Sequence, residues 1–403
     1  MRKTILILSL LLITVSIFAI FGKKKGISEG NVVFLRKGPA SHFHSIGILP
    51  KNAVFSILGK ELNWYKINFA DSIGYLPQKA IREISEEELQ NLGKEEKNTR
   101  FSSIDLSKID KLAYYFCEKF GGDKKFISYY KSLSIDENRF AKFKKTTYKG
   151  FNLKNNLKKI PLTKGKDGEF SQTELGIGLG IGSAVASGKF YHNPIWSEYI
   201  NFVGNQIVET SDIYDWNFKF FILNTSEAGT ITCPGGIIFV SKGLLESIET
   251  EAELAFVLAR EIASSSHYFG MNELFSEKDK FENLVLSDTE WEKITQDSIF
   301  LKLNETVSRI HEKIFEEKTS ATSEAADYLG LIYAARAGYN SRKAINLFER
   351  LLLVEPPSLT DDYSISQIRK RLEAMKSNPN KLVLPKKLFS HKKRWKEKEV
   401  FLD

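Results

Sequence analysis

One carboxylate in this sequence stands where chemistry would want it. Glu261 lies in the apolar run AELAFVLAREIASSS (252–266), and a carboxylate held in such a helix can act as a general base on water or substrate placed against it. Its neighbours are less suited to catalysis. Ser264 and Ser266 would need a base to become nucleophiles, and no histidine stands in a convincing position. His267 has Ala263 one helical turn before it and Met271 one turn after, so it cannot form a two-histidine metal clasp. His42 and His44 sit in a turn-like stretch without a third ligand nearby. Cys117 and Cys233 are the only cysteines, which excludes a disulfide framework or a cysteine-rich metal site. They either pair or serve as small buried apolar residues, and the second reading is favoured. Gly176, Gly178, Gly180 and Gly182 alternate without a following Gly-Lys-Ser/Thr, so they read as helix-packing glycines and not as a phosphate loop.

The elements around Glu261 follow from the local pattern. INFVGNQIV (200–208) reads as a helix face and Phe218–Asn224 as a buried strand. Pro234-Gly235-Gly236 is a turn, IIFVSKG a second strand and LLESIE a short helix. Thr250 to Glu253 form a capping box that opens the helix carrying Glu261. The whole chain has 403 residues, 42% hydrophobic and 27% charged, with a formal charge of +8. That excludes a disordered or low-complexity chain and predicts more than one domain.

Upstream, Thr4 to Phe21 is uncharged and flanked by Arg2-Lys3 and Lys23-Lys24-Lys25, which predicts an export signal or membrane anchor over 1–25. Residues 27–84 alternate short apolar runs with Gly, Pro and Asn turns, predicting a small all-β barrel. Residues 85–167 read as a helical and lysine-rich linker. Its lysines from Lys142 to Lys166 are met by no acid, and their repulsion would keep the segment extended. A second basic stretch, Lys386 to Lys398, marks a tail over 378–403. Lysines interleaved with aromatics suit phosphates, but an exported chain makes nucleic acid the wrong partner; a membrane surface or anionic envelope polymer fits better.

Two resemblances sharpen this outline. Gly38-Pro39, Leu49-Pro50, Trp64-Tyr65 and Gly74-Tyr75 fall at the spacings of a bacterial Src-homology-3-like domain. That resemblance implies either peptidoglycan binding or packing against an enzyme, while Trp64, Tyr65 and Tyr75 read equally well as barrel core. CPGGIIFVSKGLLESIETEAELAFVLAREIAS (233–264) and SEAADYLGLIYAARAGYNSRKAINLFERL (323–351) resemble the HtpX-like and CAAX-prenyl-protease-type zinc metallopeptidases over about 168–377. The fold expected is multidomain: a small β-barrel followed by a mostly α, α+β zincin-like domain.

The departures from that family matter most. The resemblance implies His-Glu-x-x-His where this chain has Arg260, Glu261 and Ser264, and a third ligand where it has Ser323. Glu324 is adjacent, but one residue along a helix turns a side chain by about 100°. A later Thr-His-Pro of the family corresponds to Thr360-Asp361-Asp362, again without the histidine. Asp327 holds the position that supports the first ligand, so an Arg260–Asp327 ion pair, joined by Glu261, is expected in place of metal. No cofactor is expected, with zinc entering only if distant residues such as His192, His267 or His311 supplied ligands. The function expected is non-catalytic binding of extended peptides or envelope proteins, or scaffolding, with Gly235, Gly236, Ile237 and Phe239 lining the groove. The alternative is an active metalloendopeptidase of envelope quality control with an unorthodox metal site.

Overall fold

The computed structural model describes residues 24–29, 32–91, 106–160, 171–266, 278–285, 287, 289–314, 320–377, 385 and 387–399. The predicted export segment Thr4–Phe21, Lys164, Lys166 and His267 lie outside them. The chain divides into two compact units, before and after Ile104.

The first unit is a seven-stranded sheet in the order β3-β2-β6-β5-β4-β1-β7. Its strands are β1 (Lys25–Ser28), β2 (Val32–Arg36), β3 (Ser45–Pro50), β4 (Val54–Glu61), β5 (Trp64–Phe69), β6 (Ser72–Pro77) and β7 (Ile81–Ile84), and every pairing is antiparallel. A short helix, α1 (Glu86–Asn91), follows. Val33, Leu35, Leu49, Phe55, Ile67 and Leu76 fill the interior, and Trp64 is also buried. Tyr65 and Tyr75 are only half-buried, with hydroxyls donating to Glu83 at 3.1 Å and Glu61 at 2.9 Å. Of the three aromatics, only Trp64 is fully core.

The second unit is mostly helical. It opens with α2 (Leu106–Lys119), α3 (Lys124–Ser132), α4 (Glu137–Thr147), α5 (Leu153–Lys159), α6 (Gln172–Ala186) and α7 (Pro194–Val208). The extended conformation expected of the lysine run is corrected here over 142–160. Phe140 and Phe143 stand at helical spacing and join the main core, while Asn156 Nδ2 donates to the Ala335 and Arg336 carbonyls at 2.8 and 2.9 Å. Apolar burial on the inner face outweighs lysine repulsion on the outer one. The glycines of α6 do pack: a Cβ on Gly178 would lie 1.9 Å from the Pro234 carbonyl oxygen. Cys117 and Cys233 are both free and buried, and burial pushes the Cys233 thiol up, away from reactivity.

A small sheet follows, in the order β8-β10-β9: β8 (Lys219–Leu223), β9 (Thr230–Cys233) and β10 (Ile237–Ser241), with β10 parallel to β8 and antiparallel to β9. After it come α8 (Lys242–Glu246), α9 (Glu251–Ser266), α10 (Lys278–Val285), α11 (Trp291–Ile294), α12 (Ser298–Lys313), α13 (Ser320–Arg336), α14 (Lys343–Val354), α15 (Ile365–Ser377) and α16 (Lys392–Glu399). The cap at α9 is formed with its return bond one residue early: Glu253 N donates to Thr250 Oγ1 at 3.3 Å, and Glu253 Oε2 accepts from Glu249 N, not Thr250 N, at 2.8 Å. The basic tail is also corrected over its described part. Trp395 is fully buried and donates to the Ile248 carbonyl at 2.9 Å, and Arg394 is bound to Glu251 at the start of α9.

Candidate functional site

Helices α9 and α13 pack against each other so closely that a Cβ on Gly330 would meet the Arg260 Cα and N at 2.9 Å. This contact aligns Arg260 and Glu261 with Ser323 and Asp327. The loop before α15 brings Asp362, α15 brings Arg371, and β9 brings Thr230 and Thr232. All of these except the half-buried Thr232 are buried, and Arg260 and Glu261 are 0% exposed.

Arg260 uses all three faces of its guanidinium. Nε donates to Asp327 Oδ1 at 3.0 Å, Nη2 donates to Asp362 Oδ2 at 2.9 Å, and Nη1 donates to Glu261 Oε1. Arg371 completes the cluster: Nε donates to Asp327 Oδ2 at 2.8 Å, Nη2 to Asp327 Oδ1 at 2.8 Å and Nη1 to the Asp362 carbonyl at 2.6 Å. Ser323 Oγ donates to Asp362 Oδ1 at 2.7 Å. Glu261 also accepts from Thr230 Oγ1 at 2.9 Å and Thr232 Oγ1 at 2.7 Å. Two guanidiniums therefore face three carboxylates in the buried interior, with nearly every charge hydrogen-bonded, the arrangement a buried ion network requires. Burial works against the charge on Arg260, but the carboxylates of Asp362, Glu261 and Asp327 outweigh it and hold its pKa well above the ordinary value. Burial pushes the neighbouring Tyr363 phenol up to about 12, so it stays neutral.

Asp327 thus meets Arg260 as the sequence expects, and the cluster is enclosed, not open to solvent. Ser264 is buried one turn along α9, and Glu324 is exposed, turned out of the cluster by its single-residue offset. His192 packs edge-on against Tyr129, and His311 stacks on Phe120. Among the described residues, no group of three or more His, Cys, Asp or Glu is placed to hold a metal ion.

The proposed groove strand needs correcting. Gly235, Gly236, Ile237 and Phe239 are buried, and β10 is the central strand, so it has no free edge for an incoming peptide. The outer edge belongs to β9. Ser241 N donates to the Gly229 carbonyl at 3.0 Å, which sets the pairing so that Thr230 and Thr232 turn their main-chain groups away from β10. The same edge is paired one step earlier, where Ala228 N donates to the Pro357 carbonyl and Leu359 N to the Ala228 carbonyl.

Comparison with known families matches residues 31–82 to the bacterial SH3 domain and residues 198–391 to peptidase family M48. The chain joins a bacterial SH3 domain to an M48 peptidase domain. Among curated relatives, the beta-barrel assembly-enhancing protease of Yersinia pestis is 23% identical over 232 residues, covering 51% of this chain and 47% of the relative. The mitochondrial metalloendopeptidase OMA1 of Bos taurus is 29% identical over 146 residues, covering 36% and 28%. The beta-barrel assembly-enhancing protease of Escherichia coli (strain K12) is 28% identical over 102 residues, covering 23% and 21%. The chain therefore spans about half or less of the length of these relatives.

Zinc takes imidazole, thiolate or carboxylate ligands. At the three ligand positions implied by the family resemblance, this M48 domain presents a guanidinium and two hydroxyls. Arginine stays protonated, and here it is fully buried with its donors engaged, so a dication would meet a fixed positive charge. The residues present do not fit zinc. Arg371, on a helix rich in other cations, and Thr230 and Thr232, in a four-residue strand, carry no sequence signal for this site. Asp362 was visible only as the last residue of Thr360-Asp361-Asp362, in which Asp361 takes the place of the histidine.

Proposed function

We propose that the M48 domain works without zinc and without hydrolysis, as a module that binds extended peptides or proteins of the cell envelope or scaffolds their assembly. One observation carries this reading: the buried Arg260 is tied to Asp327, Asp362 and Glu261 at the position where the family resemblance implies the first metal ligand. The carboxylate of Glu261 is engaged by Arg260, Thr230 and Thr232. A binding role needs only a strand edge, and the outward main-chain groups of the half-buried Thr232 supply one that a peptide could extend by hydrogen bonding. An envelope setting is supported by the apolar run Thr4–Phe21 and by relatives named for beta-barrel assembly.

The full chain incubated with unfolded casein and zinc is expected to leave the substrate intact, with Glu261→Gln behaving like the parent. A second reading, an active metalloendopeptidase, draws on the glutamate retained at the general-base position and on relatives named as proteases. Zinc-dependent fragments that vanish in Glu261→Gln would favour it. For binding, Thr232→Pro removes an outward N–H from an edge strand, where proline is tolerated, and is expected to abolish capture of extended peptides. Thr232→Val controls for the lost hydroxyl. Unchanged capture by Thr232→Pro would place the binding surface elsewhere.

A further inference from the structure

The two lysine-rich stretches, far apart in sequence, meet in the fold. Arg394 Nη1 donates to Thr147 Oγ1 at 2.9 Å, and its guanidinium lies 4.4 Å from the Phe143 ring centroid. The Phe389 and Phe151 rings are 4.6 Å apart, and Lys387 Nζ donates to the Gly150 carbonyl at 3.4 Å. These contacts fix the segment before and into α16 beside the end of α4. In α4 the buried residues are Phe140, Phe143 and Thr147, so Lys142 and Lys145 occupy the opposite face. In α5, Lys154 and Lys158 stand away from the buried Asn156, and in α16, Lys393 and Lys396 stand away from the buried Trp395. All six are exposed, and none is ion-paired among the described residues; Lys144 and Lys392, by contrast, reach Glu209 and Glu249.

We propose that this joined lysine surface docks on an anionic phospholipid bilayer. Unpaired lysines on an outer helix face gain from the field of negative headgroups, a gain their own neighbours do not supply. Point charges on flexible stems suit a diffuse charged plane, while bidentate recognition would call for arginine. The interleaved aromatics do not make a base-stacking platform: Tyr148, Phe151 and Phe389 turn toward one another and hold the two segments together. The apolar run Thr4–Phe21 gives the same chain a segment with affinity for membranes.

The test reads the surface directly, because the amino-terminal run could attach the chain to vesicles by itself. The full chain is mixed with phosphatidylcholine vesicles, with or without about 30 mol% phosphatidylglycerol, and lysine acetylation is followed by mass spectrometry. The rates at Lys142, Lys145, Lys154, Lys158, Lys393 and Lys396 are expected to fall roughly fivefold or more on the anionic vesicles only, and to recover in about 0.5 M NaCl. The exposed Lys51 and Lys60 of the barrel provide the internal comparison. A variant with Lys142, Lys145, Lys393 and Lys396 changed to Gln should melt like the parent and show the protection at Lys154 and Lys158 much reduced. Equal rates on both vesicle types, or protection that ignores salt, would overturn the proposal. Protection by soluble peptidoglycan fragments and not by vesicles would overturn it in favour of a polymer.

Discussion

Asp327→Ala tests whether the ion network holds the M48 domain together. Asp327 accepts from Arg260 Nε at 3.0 Å and from Arg371 Nε and Nη2, both at 2.8 Å. Truncation leaves two buried guanidiniums short of an anion. Arg260 would keep Asp362 and Glu261, while Arg371 would keep one carbonyl and the ring faces of Phe348 and Tyr363 at 4.5 and 5.5 Å. Removing one partner from a buried charge network costs about 3–5 kcal/mol. At about 2–4 °C per kcal/mol for a large domain, melting should fall by roughly 6–20 °C. Tryptophan fluorescence suits the measurement, since Trp196, Trp216, Trp291 and Trp395 all lie in the second unit and only Trp64 lies in the barrel. Asp327→Asn keeps acceptor capacity without charge and should fall in between. A melting temperature within about 1 °C of the parent would mean the network contributes nothing, and the reasoning would be wrong.

Other consequences follow from the same packing. Gly330→Val places a branched side chain where even a Cβ meets Arg260 backbone at 2.9 Å, and it should destabilise by about 1–3 kcal/mol in urea titration. Glu251→Ala removes the acceptor shared by Tyr199, Tyr339 and Arg394, so α16 should detach, seen as faster tryptic cleavage around Lys392 and Lys393. His391 is held below its ordinary pKa of about 6.5, chiefly by burial, with Glu251 opposing and Arg394 assisting. The sign then follows: the neutral imidazole is favoured in the fold, its contribution is full above pH about 6.5, and it is lost as pH falls through the lowered value. Amide protection over 387–399, corrected for the intrinsic exchange rate at each pH, should therefore fall on mild acidification in the parent, and His391→Gln should flatten that dependence.

Much of this molecule is legible in its sequence because its strongest patterns are local. The barrel strands, the capping box at Thr250 and the packing glycines of α6 each depend on neighbours a few residues away. The Arg260–Asp327 pair was legible for a different reason: two segments could be aligned with one family, and the substitutions in them made sense only together. What was missed is long-range or diluted. Lysines set between Phe140, Phe143 and Thr147 hide a helix that buries one face, and Trp395 sits in a run of cations that conceals its role as an anchor. The four residues of β9 carry too little pattern to be read as a strand, so the sheet edge was assigned to β10 and the hydroxyls that hold Glu261 went unseen. Arg371 reaches Asp327 from a separate helix, and nothing in its own neighbourhood marks it.

The most direct test of the central claim is the metal content of the purified full chain, measured by mass spectrometry after exposure to zinc and desalting. With Arg260 filling the site, the account predicts that zinc stays far below one equivalent per chain. About one tightly held zinc per chain, lost when Glu261 and its neighbours are substituted, would contradict it and return the domain to hydrolysis.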